Sequence, residues 1–120
     1  MTPPLKIVIV DDESPSREFL SYLILSRLPK AKITKIESPI EALDFFQKED
    51  CDILFLDIEM PVMSGWEVLK KIRSLGKNPY TVVVSSPSNA EKAKEFGVEK
   101  FITKPLCDEK IGEVLGMYLK

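Results

Sequence analysis

The sequence predicts an α/β fold: five parallel strands in an open, doubly wound sheet with helices on both faces, a (βα)5 three-layer sandwich. Two observations predict it. Short apolar runs rich in β-branched residues alternate five times with stretches of helical periodicity along 120 residues. Three of those runs, LKIVIV (5–10), ILFLD (53–57) and YTVVVS (80–85), are nearly continuous apolar stretches, as central parallel strands covered on both faces require. The length suits one domain over 1–120 with a single sizeable core.

The first run ends in Asp11-Asp12-Glu13, three acids that repel one another unless water or a positive group relieves them. Ser14-Pro15 then reads as an N-cap serine with proline at the first helical position. The second run, KITKIE (32–37), alternates like an edge strand. After it, Ser38-Pro39 repeats the Ser-Pro start, and Ser38 with Glu41 fits a capping box. ILFLD ends on Asp57, and the next helix opens with a second capping box, Ser64 with Glu67. Val68, Leu69, Ile72 and Leu75 form its apolar stripe, while Lys70, Lys71 and Arg73 read as a solvated face and Trp66 as partly buried.

YTVVVS ends in Ser85-Ser86. Pro87 disfavours helix at Ser86, the pair Ser88 and Glu91 predicts a third capping box, and Gly97 offers a left-handed stop. The fourth helix is therefore expected over Asn89–Phe96, about two turns. The fifth run, KFIT (100–103), leads into Lys104-Pro105. Ile111, Val114, Leu115 and Tyr118 mark the last helix's core stripe.

Composition excludes several function classes. With no histidine, a Ser-His-Asp triad, a histidine zinc site and phosphohistidine on this chain are all ruled out. Seventeen basic residues are interspersed with nineteen acidic ones rather than gathered in a run, which argues against a direct nucleic-acid partner. Cys51 and Cys107 are too few for a disulfide framework and lack metal-ligand spacing. No apolar run approaches the roughly 20 residues of a membrane span, and the expected compartment is cytoplasmic.

Ligands of open α/β sheets bind outside the carboxyl ends of the strands. Four of the five strands deliver polar groups to that rim: Asp11-Asp12-Glu13, Asp57, Ser85-Ser86 and Lys104. If the first and third strands are neighbours, Asp12 and Asp57 converge, and a hard divalent cation with oxygen ligands is the natural neutraliser, Mg²⁺ above all.

The blocks IVIVDDE, ILFLDIEMPVMSGWEVLKKIR, VVVSS and FITKPL, in this order and across nearly the whole chain, resemble the receiver domains of two-component response regulators. The most specific is D-x-x-M-P-x-x-x-G, Asp57 through Gly65. The resemblance implies a flavodoxin-like sheet of strand order 2-1-3-4-5 and a chemotaxis-regulator-like, stand-alone receiver. It implies Asp57 as phosphoacceptor, Asp12 and Asp57 as direct Mg²⁺ ligands with the Glu59 backbone carbonyl, and Asp11 as a ligand through water. It also implies Lys104 as the phosphoryl-pairing lysine, Ser85 as the hydroxyl that bonds the phosphoryl oxygens, Phe101 as the switch aromatic, and a cis Lys104-Pro105 bond. The implied partners are a histidine kinase or histidine phosphotransferase and a downstream protein target. Such a domain promotes its own phosphorylation and dephosphorylation without being a classified enzyme.

Three alternatives are weaker. A flavodoxin-like flavin carrier needs a first loop that cradles phosphate, and D-D-E repels it. A haloacid-dehalogenase-like phosphatase needs D-x-D at the nucleophile, where this chain has Asp57-Ile58-Glu59. A phosphorylation-independent interaction module need not retain all the signature residues. Phe101 departs from a tyrosine in lacking a hydroxyl, and Leu106 stands where phenylalanine is common. The 18 residues between Ser85 and Lys104 are roughly one helical turn fewer than in comparable receivers. Output through a docked partner is expected, because no room follows the last helix for an output domain unless the chain is part of a longer protein.

Overall fold

In the computed structural model, which describes residues 3–120, strands and helices alternate throughout. They are β1 (Lys6–Val10), α1 (Ser14–Arg27), β2 (Lys32–Ile36), α2 (Pro39–Lys48), β3 (Ile53–Asp57) and α3 (Gly65–Ser74). Then come β4 (Tyr80–Ser85), a 3₁₀ turn (Pro87–Asn89), α4 (Ala90–Phe96), β5 (Lys100–Thr103) and α5 (Asp108–Leu119). All pairings are parallel, in the order β2-β1-β3-β4-β5, the doubly wound arrangement expected. The alternating KITKI strand lies at one edge.

The continuous apolar runs are explained by two cores, one on each face of the sheet. Val8, Val10, Leu54, Leu56 and Val83 point to α2, α3 and α4, where they meet Phe46, Leu69 and Ile72. The residues between them, Ile7, Ile9, Ile53, Phe55, Val82 and Val84, point to α1 and α5, against Ile24, Ile111 and Leu115. Side chains alternate along a strand, so a strand buried on both faces is apolar nearly throughout; the buried Thr81 near the start of β4 is accommodated because its hydroxyl donates to the Pro79 carbonyl at 2.9 Å. Polarity returns at Asp11, Asp57 and Ser85, all on the carboxyl rim. Among the described residues, no helix is long and apolar enough to cross a membrane.

Ser38 and Ser64 cap α2 and α3 as expected, accepting from the Glu41 and Glu67 amides at 3.2 and 3.3 Å. Two other starts differ from the sequence reading. The α1 cap is Glu13, whose carbonyl accepts from the Arg17 amide at 3.0 Å; Ser14 is already inside the helix because Asp11 turns the chain one residue earlier, its Oδ1 accepting from the Glu13 amide at 2.9 Å. The Ser88 capping box does not form. Ser88 Oγ bonds Ser86 Oγ at 2.9 Å, and the chain takes a 3₁₀ turn before a seven-residue α4 that stops at Gly97, φ 64°. The helix is short, as expected, and Ser86 before Pro87 is extended.

Two side chains on α3 are also placed differently. Trp66 is 4% exposed rather than partly buried, its ring 4.7 Å from that of Phe96. Arg73 is not part of the solvated face: its Nη1 donates to the Phe96 carbonyl at 2.6 Å, capping the end of α4.

Candidate functional site

β1 and β3 are neighbours, with Val10 paired to Leu56, so the next residues of both strands meet at the rim. Carboxylate oxygens of Asp11, Asp12 and Asp57 lie within 4.8 Å of one another. Arg17 fixes the loop that carries the first two: its Nη1 donates to the Asp11 carbonyl at 2.8 Å while Nη2 stands 3.7 Å from Glu37. This role of Arg17 is absent from the sequence reading, although an arginine one turn into a helix that follows an acidic loop is a usable signal.

Asp57 is 3% exposed. Its Oδ1 is buried with no hydrogen-bond partner, although Lys104 Nζ stands 3.4 Å away as an ion pair. Burial pushes the Asp57 carboxyl up to about 6, with Asp11 adding to the rise and Lys104 and the Glu59 backbone amide opposing it. Burial also raises Asp11, against the pull of the Glu13 amide and Lys104. Lys104 is drawn down by burial but ends above its ordinary value because Asp57 and Asp11 face it. The Lys104 amide donates to the Ser85 carbonyl at 3.0 Å, and the Lys104-Pro105 bond is cis.

Ser85 ends β4 beside Asp57 and is fully buried. Its hydroxyl donates to Glu59 Oε1 at 3.1 Å and accepts from Asn89 Nδ2 at 2.7 Å. Hydrogen bonds from Ser85 and Ser86 hold the Glu59 carboxyl below its ordinary value. Phe101 stands apart from this cluster; half-buried on β5, it packs against the core shared with α3 and α4.

The β3–α3 loop that follows Asp57 is tightly built. Gly65 admits no side chain, since a Cβ there would collide with the Asp57 carbonyl and with Ile58, and its amide donates to the Ile58 carbonyl at 2.9 Å. Met60 is tucked into the core. Val62, 93% exposed, takes φ 73°, a region a β-branched residue enters only under strain.

The family model of the response regulator receiver domain matches residues 7–115. The chain belongs to the response regulator receiver family. Receiver domains are typically the phosphoacceptor modules of two-component signalling. It is 34% identical to a chemotaxis protein CheY homologue of Campylobacter jejuni, with 93% of each chain covered. It is also 34% identical to the sensory transduction protein LytT of Enterococcus faecalis, over 92% of this chain and 46% of that protein. The chain thus spans about half the length of the LytT relatives it matches. The response regulator TrrA of Thermotoga maritima, solved in complex with Mg²⁺-BeF, superposes with a TM-score of 0.83 at 26% identity, covering 95% of this chain and 98% of that one. The three acids at the mouth of this receiver offer only hard oxygen donors, the kind Mg²⁺ prefers.

Proposed function

We propose that Asp57 is the phosphoacceptor, taking a phosphoryl group from the phosphohistidine of a histidine kinase or histidine phosphotransferase. The observation that carries this reading is the buried, unpartnered Asp57 Oδ1 with Lys104 Nζ 3.4 Å away. An ionised carboxylate is already a nucleophile, so the absence of histidine removes nothing the reaction needs. In the transfer, a bond forms between an Asp57 carboxylate oxygen and phosphorus as the phosphorus–nitrogen bond of the donor breaks. The electron pair leaves with the partner's imidazole, which takes a proton from water.

Phosphoryl transfer depends mostly on positioning and charge neutralisation. Lys104 supplies one positive charge to the phosphoryl oxygens, and Ser85 is the nearby hydroxyl able to donate to them. Asp12 and Asp57, the Glu59 backbone carbonyl, and Asp11 through water would hold Mg²⁺. The unpartnered Oδ1 and the all-oxygen donor set fit that ion. When bound, Mg²⁺ supplies further positive charge opposite the phosphoryl group. Phe101 is the residue whose burial would follow the phosphorylated state, and the altered surface would act on a downstream protein in the cytoplasm rather than on nucleic acid or membrane.

The test is phosphate incorporation from acetyl phosphate, followed by intact mass. Wild type is expected to gain one phosphoryl group only when Mg²⁺ is present, and Asp57→Asn none. A wild type that gains no mass would instead mark a phosphorylation-independent interaction module.

A further inference from the structure

A continuous chain of hydrogen bonds runs from the acidic mouth into the seam between α3 and α4. Ser85 Oγ lies between Glu59 Oε1 and Asn89 Nδ2, and Asn89 Oδ1 accepts from the Trp66 indole at 3.3 Å. The direction of every bond is forced. An indole N–H can only donate, so the Asn89 oxygen must face Trp66 and its amide nitrogen must face Ser85. Ser85 Oγ therefore accepts from Asn89 and donates its single proton to Glu59 Oε1.

Trp66 in turn lies against Phe96, the last residue of α4, and Arg73 binds that residue's carbonyl. The seven-residue α4 is thus tied to α3 at its start through Asn89 and Trp66 and at its end through Phe96. The side chains of Asn89 and Trp66 make their hydrogen bonds with each other and with Ser85, not with the acidic cluster.

We propose that Asn89 is a positioning residue for the phosphorylation site: it holds the Ser85 hydroxyl in its resting place and passes any movement of that hydroxyl to Trp66 and the α3–α4 seam. The proposal rests on Asp57 as the phosphoacceptor. A phosphoryl group there brings three strong acceptor oxygens to the end of β3, and Ser85 at the end of the adjacent β4 has one proton to give. Turning Oγ toward the phosphoryl group ends the donation to Glu59 and moves Oγ from the point where Asn89 Nδ2 meets it. Nδ2 then lacks a partner in a half-buried setting, which favours a new Asn89 rotamer and loss of the Trp66 bond.

Trp66 is the sole tryptophan, so a proton–nitrogen correlation spectrum carries one indole peak. Acetyl phosphate with Mg²⁺ is added, and intact mass records occupancy in the same sample. The indole proton is expected to move upfield on phosphorylation, beyond any shift produced by Mg²⁺ alone. In Asn89→Ala the peak should start upfield and stay there at equal occupancy. Asn89→Asp, whose carboxylate accepts from the indole at least as strongly but cannot donate to Ser85, should start at or downfield of the wild-type resting peak and lose the shift. An indole peak that stays still in phosphorylated wild type, or that moves as far in either variant as in wild type, overturns the relay alone. Absence of added mass in wild type overturns the Asp57 reading and the relay with it.

Discussion

Replacing Asp57 with Asn removes a charge that the metal-free fold holds at a disadvantage. The carboxyl rises from its ordinary 3.8 to about 6, burial being the largest cause. At about 1.36 kcal/mol per pH unit, that rise corresponds to roughly 3 kcal/mol lost by the folded state once the group is ionised. That figure already includes the opposing pull of Lys104, so a net stabilisation of up to about 3 kcal/mol is expected near pH 7.5. The sign follows from proton binding. Between about pH 4 and pH 6 the folded wild type holds a proton on Asp57 that the unfolded chain has released, so this group's contribution to stability falls as pH rises through that window. The advantage of Asn should be full above about pH 6 and vanish near pH 4. Urea unfolding of both proteins in chelator, across this range, measures it. An Asp57→Asn protein no more stable than wild type at pH 7.5, or an advantage that grows toward acid, would show that burial does not hold the Asp57 charge at a disadvantage.

Millimolar Mg²⁺ should raise the melting temperature of wild type, because the ion binds the folded acidic cluster and relieves its repulsion, and Asp12→Ala should lose that dependence in the same thermal scan. Val62→Gly should stabilise the protein by about 1 kcal/mol, since glycine adopts φ 73° without strain and Val62 buries almost nothing that would be lost; a lower urea midpoint would contradict this. Substitutions at Glu59 and Pro87 should change the lifetime of the phosphorylated form, because Glu59 is exposed beside Ser85 and Pro87 opens the turn that follows it; unchanged decay of the added mass in both variants would dispose of the idea.

Much of this architecture was legible because the signals were local. ILFLD, YTVVVS and KFIT coincide residue for residue with β3, β4 and β5; the first two are apolar runs of central strands, and the shorter edge strand KFIT is delimited by the Gly97 stop before it and Lys104-Pro105 after it. The acidic mouth was legible for a related reason: a doubly wound sheet carries the carboxyl ends of its strands to one rim, so the residues after the apolar runs had to meet. Competition among short-range partners was not legible. Ser88 lies three residues before Glu91, as a capping box requires, yet Ser86 captures its hydroxyl; Ser14 precedes Pro15, yet the Asp11 turn starts the helix at Glu13. Contacts across the α3–α4 seam were hidden for a different reason. Trp66 with Asn89, and Arg73 with Phe96, are each 23 residues apart, and no periodicity within one helix reports which side chain of another element it meets.

Chemical mapping shows whether Asp57 forms the acyl phosphate. Wild type labelled with acetyl phosphate and Mg²⁺ is reduced with borohydride, which converts an aspartyl phosphate to homoserine, and is then digested for peptide mass analysis. The modification is predicted at Asp57 and at no other carboxylate. Modification at Asp11, Asp12 or elsewhere with Asp57 intact would contradict it.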